Sequence, residues 1–550
     1  MRLSFLLPIV LSGVCFAQSI DLPGADPFFP RPSYFRKHFQ TAPSRIELQP
    51  PVRLADFVVE NKLELSLKNF LELTVANNPD VVSQKVTVEF SRNAITRAFG
   101  AFDPTAFARF NSTRTSTASS SLLVGASTLN QLQQPLSLQV AQTMQTGTQY
   151  VVAFNGTKTS SNSTFSTFNP QLNANINFSM VQPLLRGRGT YITRLPISIA
   201  RSKLRVAGYT FEDQLIQLVA IAENAYWDVV GARENLRVQE ENLKLADAAL
   251  KRAQKELELG ATSPLEIFQP QANYANAELS VSQGRFRLAQ AEDALRRQMG
   301  ADLDPNIRNL PIVLTETILP PAEVRVDREA AVETALRQRP DVKAVLQSLD
   351  VDDLGIKQAN NFLLPDLSLT AQYGSSGLGG IFFPRTNLTD PSLPVIPIVG
   401  GIRDALGGVF GFGFPVYGFG LTLRLPIKDR VAASNLSDAV VQKRLDVLRR
   451  RSTEENVRLQ VLTAISQMES SRESIRIATI ARDLAQKRVE ADQKRYELGT
   501  TTLFFVLASQ TDYILAESNL VNQNITYRRN LLNLYQRTGQ LLDERGIVAQ

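Results

Sequence analysis

Residues 256–268 read ELELGATSPLEIF, and residues 495–507 read RYELGTTTLFFVL. Each stretch is a Glu-Leu-Gly-x-Thr tip between two long segments of helical period. Glycine lets a chain leave a helix and reverse, and a nearby threonine can cap the helix that returns. Gly260 and Gly499 are therefore predicted to turn two antiparallel helical hairpins, with Thr262 and Thr501 capping the returning arms. Taken singly, each glycine marks only a turn.

The arms are unusual. Positions 215, 222, 229, 236, 243, 250 and 257 read Leu, Ala, Val, Leu, Leu, Leu, Leu. Three residues after the first six come Leu218, Ala225, Ala232, Gln239, Ala246 and Ala253. That is a coiled-coil seam with one small side, along which helices can approach closely. The second arm keeps a looser version in Val461, Met468, Ile475, Val489 and Tyr496, interrupted by Arg482. A helix from residue 200 to 258 would be roughly 90 Å long. No globular core needs that length.

The tips belong to a wider duplication. NNPDVV and FDP in the first half match QRPDVK and LPD in the second, and Pro79 and Pro340 each suit a first helical position. Val181–Leu185 answers Arg424–Ile427, and Tyr274, Ala277 and Glu278 answer Tyr513, Ala516 and Glu517. Four landmarks recur in one order. The predicted organisation is a signal peptide at 1–17, an extended N-terminal segment at 18–60 and a first repeat at 61–300. A proline-rich linker at 301–326, a second repeat at 327–541 and a tail at 542–550 follow.

Arg2, the apolar run Leu3–Leu11 and the small residues before Ala17 have the layout of a secretory signal. Cleavage after Ala17 removes Cys15; acylation of Cys15 is the alternative, poorly served by Val14 before it. Cys15 is the only cysteine, so the mature chain offers no disulfide and no thiolate site. The net charge of +6 is dispersed without a Lys/Arg block, which argues against nucleic acid as a partner. No segment has about 18 uninterrupted apolar residues, the length of a spanning helix. Leu393–Phe414 is broken by prolines, glycines and Arg403-Asp404.

Alternation marks strands. Tyr417–Leu425 is apolar at odd positions, as are Leu367, Leu369, Ala371 and Tyr373; Ile176, Phe178 and Met180 alternate with Asn175, Asn177 and Ser179. One apolar and one polar face fits either a half-buried soluble sheet or a barrel with lipid outside and water inside. Thr105–Asn111 alternates poorly. Leu136–Met144 and Gln149–Phe154 are further candidates, read as a hairpin extending beyond the membrane. The Gly/Phe-rich stretch Gly374–Gly420 reads as a long outer loop. Two strands per repeat give four per chain, whereas membrane barrels begin at about eight. Several chains would have to share one barrel. The fold class is thus α+β and mainly α: long coiled-coil hairpins plus a few strands that complete a shared barrel.

At this point LELSLKNFLELTVANNPDVV (63–82), GAFDPT (100–105), SMVQPLLRGRG (179–189), YGFGLTLRLPI (417–427) and the paired tips resemble the TolC-type outer membrane efflux proteins. The resemblance spans about residues 60 to 541 in both copies. It implies a homotrimer whose shared barrel of twelve strands crosses the outer membrane of a Gram-negative cell, with its long helices forming a tunnel in the periplasm. Such a duct is passive, needs no cofactor, and works with a periplasmic adaptor and an inner-membrane transporter in efflux or type I secretion. It also implies that Leu259, Gly260, Thr262, Leu498, Gly499 and Thr501 are adaptor-docking positions at a tapered end that closes at rest. Acidic positions of the family at that constriction fall here on the uncharged Phe505 and Ala508, and the first tip supplies Glu266. Three copies of Glu266 would favour cations, or could hold a divalent ion; three phenylalanines could instead gate by dewetting. A latching arginine of some relatives is replaced by Thr501. No catalytic or metal-binding set is found: His38, the only histidine, has no partner motif, and Trp227 reads as packing or an interface contact. The alternative function is an exported coiled-coil scaffold without channel activity.

Overall fold

The computed structural model describes residues 30–39, 54–119, 125–260, 263–300, 309–318, 326–384 and 396–547. The signal peptide with Cys15, and Thr262, lie outside them. The chain divides into Met1–Pro50 and Pro51–Gln550. In the first unit, Pro32–Phe39 is a helix, α1, and not the extended segment expected. Its aromatic residues recur at helical spacing, and His38 lies on it with Nδ1 2.9 Å from the Tyr34 carbonyl.

The second unit opens with β1 (Val58–Val59) and β2 (Lys62–Leu65), then α2 (Leu67–Asn77) and α3 (Pro79–Phe99). Ser66 Oγ accepts from the Asn69 amide at 3.2 Å, and Asn78 Oδ1 accepts from Asp80 N at 2.8 Å. These side chains serve amides that have no partner inside the helix. Pro79 takes the first helical position, as expected.

The chain then forms β3 (Thr105–Phe110), β4 (Thr113–Ala118), β5 (Thr128–Thr143), β6 (Gln149–Ser161) and β7 (Phe168–Pro183). A turn of helix, α4 (Thr190–Thr193), precedes the first hairpin, α5 (Leu195–Glu258) and α6 (Phe268–Gln298). Within the expected linker, β8 (Ile312–Leu314) pairs in parallel with β2 and buries Ile312 and Leu314. Then come α7 (Arg328–Gln338), α8 (Pro340–Phe362), β9 (Asp366–Phe382), β10 (Ile398–Val399), α9 (Ile402–Phe410) and β11 (Phe414–Arg424). The second hairpin is α10 (Arg430–Glu497) and α11 (Leu503–Thr538), followed by α12 (Leu541–Arg545). Helix pair, strands, long helix, tip and returning helix thus follow one another twice.

The main sheet is antiparallel throughout, in the order β11–β9–β7–β6–β5–β3, with β4 continuing β3 along β5 and β10 continuing β11 along β9. The second half makes the two expected passes. The first half makes four, where two were expected. The hairpin β5–β6 lies within the sheet, between β3 and β7, and does not extend beyond it. Both candidates are strands, but the place of the second was not legible because Val151, Val152, Ala153 and Phe154 are apolar on both faces. Most of Gly374–Gly420 is likewise regular: the end of β9, then β10, α9 and the start of β11.

The register sorts the faces. Val140, Val152, Phe178, Tyr373 and Tyr417 line up across five strands on one face. Ser137, Asn155, Asn175 and Ser376 line up on the other. No described helix is long and apolar enough to cross a membrane.

The seam of α5 is buried in its first half, with Leu215, Ala222 and Val229 covered, whereas Leu236, Leu243, Leu250 and Leu257 are half-buried. One core joins β2, α2, α5, α6 and β8 through Leu65, Phe70, Leu71, Trp227, Leu295 and Ile312. A second joins α7, α8, α10 and α11 through Ala335, Val342, Val461, Ile465, Met468 and Tyr527. The predicted tail is not loose. Leu541 and Leu542 enter the first core, and Arg545 donates to buried Glu223 at 2.6 and 2.9 Å. Trp227 donates to the same carboxylate at 3.3 Å, which bears out its reading as a packing residue.

Candidate functional site

The two tips end their helices alike. Gly260 N donates to Leu257 O at 3.0 Å, and Gly499 N to Tyr496 O at 2.9 Å. Both glycines are left-handed, at φ of 70° and 71°. A Cβ at either would meet nothing within 4 Å, so backbone conformation alone demands glycine there. The expected threonine cap fails at the second tip. Helix α11 starts at Leu503 after Thr502, neither Thr501 nor Thr502 caps it, and Thr500 N instead donates to Arg495 O at 2.9 Å to close α10. Extra turn residues between glycine and helix carry Thr501 out of capping range.

The tip surface is apolar. Leu259 is 82% exposed and Leu498 78%. Leu265, Phe268, Phe504 and Phe505 are also exposed, and Phe504 and Phe505 pack edge to face at 5.6 Å. Ala508, on α11, is half-buried, and Glu266 is exposed on the first tip.

A contact that the sequence did not single out ties the hairpins together. Tyr496 of α10 donates its hydroxyl to Glu256 Oε2 of α5 at 2.6 Å. Arg252 donates Nε to Glu256 Oε1 at 3.0 Å and stacks its guanidinium 4.7 Å from the centre of the Tyr496 ring. Burial, then the Glu256 bond, pushes the Tyr496 hydroxyl up to about 12, with Glu266 adding to the negative field. The only hint in the sequence was a tyrosine at a seam position. Its partner is too distant in the chain for any spacing rule to reveal.

Above the clasp, ion pairs join the two arms of the second hairpin. Arg482, the break in the α10 repeat, lies 3.7 Å from Glu517 of α11, and Arg488 pairs with Asp512 at 3.0 Å. Gln239, Asn242, Asn273, Asn276 and Gln510 line a groove of 340 Å³ between α5, α6 and α11.

The sequence profile of outer membrane efflux proteins matches residues 71–301 and again 331–540. The toluene efflux pump outer membrane protein TtgC of Pseudomonas putida is 21% identical over 59% of this chain and 60% of its own length. The chain thus spans less than two thirds of that relative. Outer membrane protein TolC of Vibrio cholerae is 23% identical over 68% of this chain and 78% of its own. Among solved structures, the outer membrane channel CmeC of Campylobacter jejuni superposes with a TM-score of 0.60 at 17% identity, covering 91% of each chain. The channel CusC gives 0.60 at 15% identity, over 90% of this chain and 96% of its own. The chain belongs to the outer membrane efflux protein family, whose members are channels and not enzymes.

Proposed function

We propose that this protein is the passive exit duct of an efflux or type I secretion assembly, with its sheet in the outer membrane and its helical hairpins in the periplasm. The observation that carries this reading is the sheet. It has an apolar face, a polar face and two outer strands with one neighbour each. Unpaired strand edges are untenable in a bilayer, so the sheet must close. Six antiparallel passes do not suffice for a barrel, but copies can join edge to edge, β11 of one beside β3 of the next. An even number of passes keeps that junction antiparallel. Three copies would give eighteen strands, not the twelve the resemblance implies, and a correspondingly wider lumen.

In this reading the tips, through exposed Leu259, Gly260, Leu498 and Gly499 and half-buried Thr501, dock the periplasmic adaptor, which joins the duct to an inner-membrane transporter. Glu266, Phe505 and Ala508 surround the constriction, and the Tyr496–Glu256–Arg252 clasp holds it closed.

Particle imaging of the mature protein extracted in detergent tests the reading. A threefold tapered cylinder with a barrel at one end supports it. Monomers, or a soluble rod without a barrel, would reject it and leave the exported scaffold.

A further inference from the structure

The returning strand of the second repeat is broken. It begins as β10, leaves the sheet at Gly400, forms α9, and resumes as β11 at Phe414. Helix α9 lies against β9 and β7, with Ala405 and Val409 buried on Ala174 and flanked by Phe154, Leu172 and Ile176. By register these residues share the face of Val140, Phe178 and Tyr417, the apolar one. The contact is backbone to backbone: a Cβ on Gly377 would fall 1.9 Å from the Ala405 carbonyl oxygen, and one on Gly379 2.3 Å from that of Gly401. The strand is therefore cut to receive this helix.

We propose that α9 is a lipid-contacting helix on the outside of the barrel, embedded in the outer leaflet; this rests on the sheet spanning the membrane. Two observations name lipid as the occupant. First, Ile402, Phe410 and Phe412 remain exposed, and Phe412 stacks on Tyr373 of the apolar face at 5.9 Å. They continue the apolar band of the sheet. A helix this short is marginal in water, and only two of its side chains are buried. Second, the helix is oriented. Gly401 meets Gly379 near the end of β9 far from the hairpins, whereas Ser375, nearer the hairpins, donates to the Gly408 carbonyl at 3.3 Å. The charged pair Arg403 and Asp404 thus lies at the distal rim, level with lipid headgroups, and Phe410 lies deeper, level with acyl chains. Asp404 is engaged in capping, accepting from Gly401 N at 2.7 Å, which leaves Arg403 facing outward for an anionic headgroup.

The test uses Phe410→Trp and Ile402→Trp in the full chain, reconstituted in vesicles containing brominated phospholipid. The native Trp227, the only tryptophan, is buried among the helices and gives a constant background. Leu421→Trp, on the same face of β11, is the control for the membrane position of the sheet itself. Loss of most of the added emission at 410 and 402, together with that at 421, is the expected result. Quenching at 421 alone overturns the proposal, whether acrylamide reaches the other two sites, meaning water, or fails to, meaning a protein cover. No quenching at 421 overturns the membrane reading and the proposal with it. Gly377→Val combined with Phe410→Trp should abolish quenching at 410, and quenching that persists would show that the seat on β9 does not place the helix.

Discussion

Tyr496 is a seam residue with a function its position does not announce. Its hydroxyl donates to a charged acceptor on the first hairpin, Glu256, in a bond worth about 1.5–3 kcal/mol when intact. Tyr496→Phe keeps the ring under Arg252 and removes only that bond. Its expected effect is more frequent opening in planar-bilayer recordings, with unchanged thermal stability of the helices. Because the hydroxyl is raised from about 10 to about 12, the bond contributes fully below pH 10 and is lost as pH rises towards 12. Gating through this clasp should therefore be flat from pH 5 to 9 by the same recordings. Another residue pair follows the same sign in a lower pH window. Burial and the facing Asp446 push Asp352 of α8 up to about 6, while Gln442 and Arg449 hold Asp446 low despite its burial. A raised carboxyl favours the fold below pH 4 and loses that contribution as pH passes 6. Asp352→Asn should thus stabilise the fold at pH 8, by about 1 kcal/mol once solvent screening of this largely exposed carboxyl is discounted, and by much less at pH 4.5, measured by thermal unfolding at both pH values.

At the scale of elements, the short C-terminal helix α12 is a lock. Arg545 supplies two hydrogen bonds to Glu223, which is 1% exposed, and removing one member of such a pair strands the other charge. Arg545→Ala should cost about 3 kcal/mol in denaturant unfolding, and Glu223→Gln with Arg545→Met should recover much of it. The tip glycines respond more mildly. Gly499→Ala pays only for a left-handed alanine, about 1 kcal/mol, because the space around it is open. Faster hydrogen exchange confined to residues flanking 499 would record it. Elements were legible in the sequence in proportion to their periodicity. The α5 repeat and the alternation of β7, β9 and β11 were plain. The place of β6 inside the sheet was not, since side chains apolar on both faces carry no period, and α9 was not, since its glycines read as a loop until β9 lay beneath them.

At the scale of the whole molecule, the proposed duct takes its width from the sheet and its open or closed state from the tips. If three chains share it, particle images should resolve eighteen strands, and twelve would mean that β5–β6 peels away in the assembly. The sequence by itself determined the tip glycines, the long hairpins, the repeated order of elements and the two-faced strands. All are local: each depends on dihedral preference or on a period of two, three and a half or seven residues. Tertiary structure alone decided that the first half makes four passes, that Tyr496 reaches Glu256, that α12 seals a core, and that α9 rides on the apolar face. Each of these joins residues far apart in the chain. Their energies come from close approach and exclusion of water, which no local period encodes.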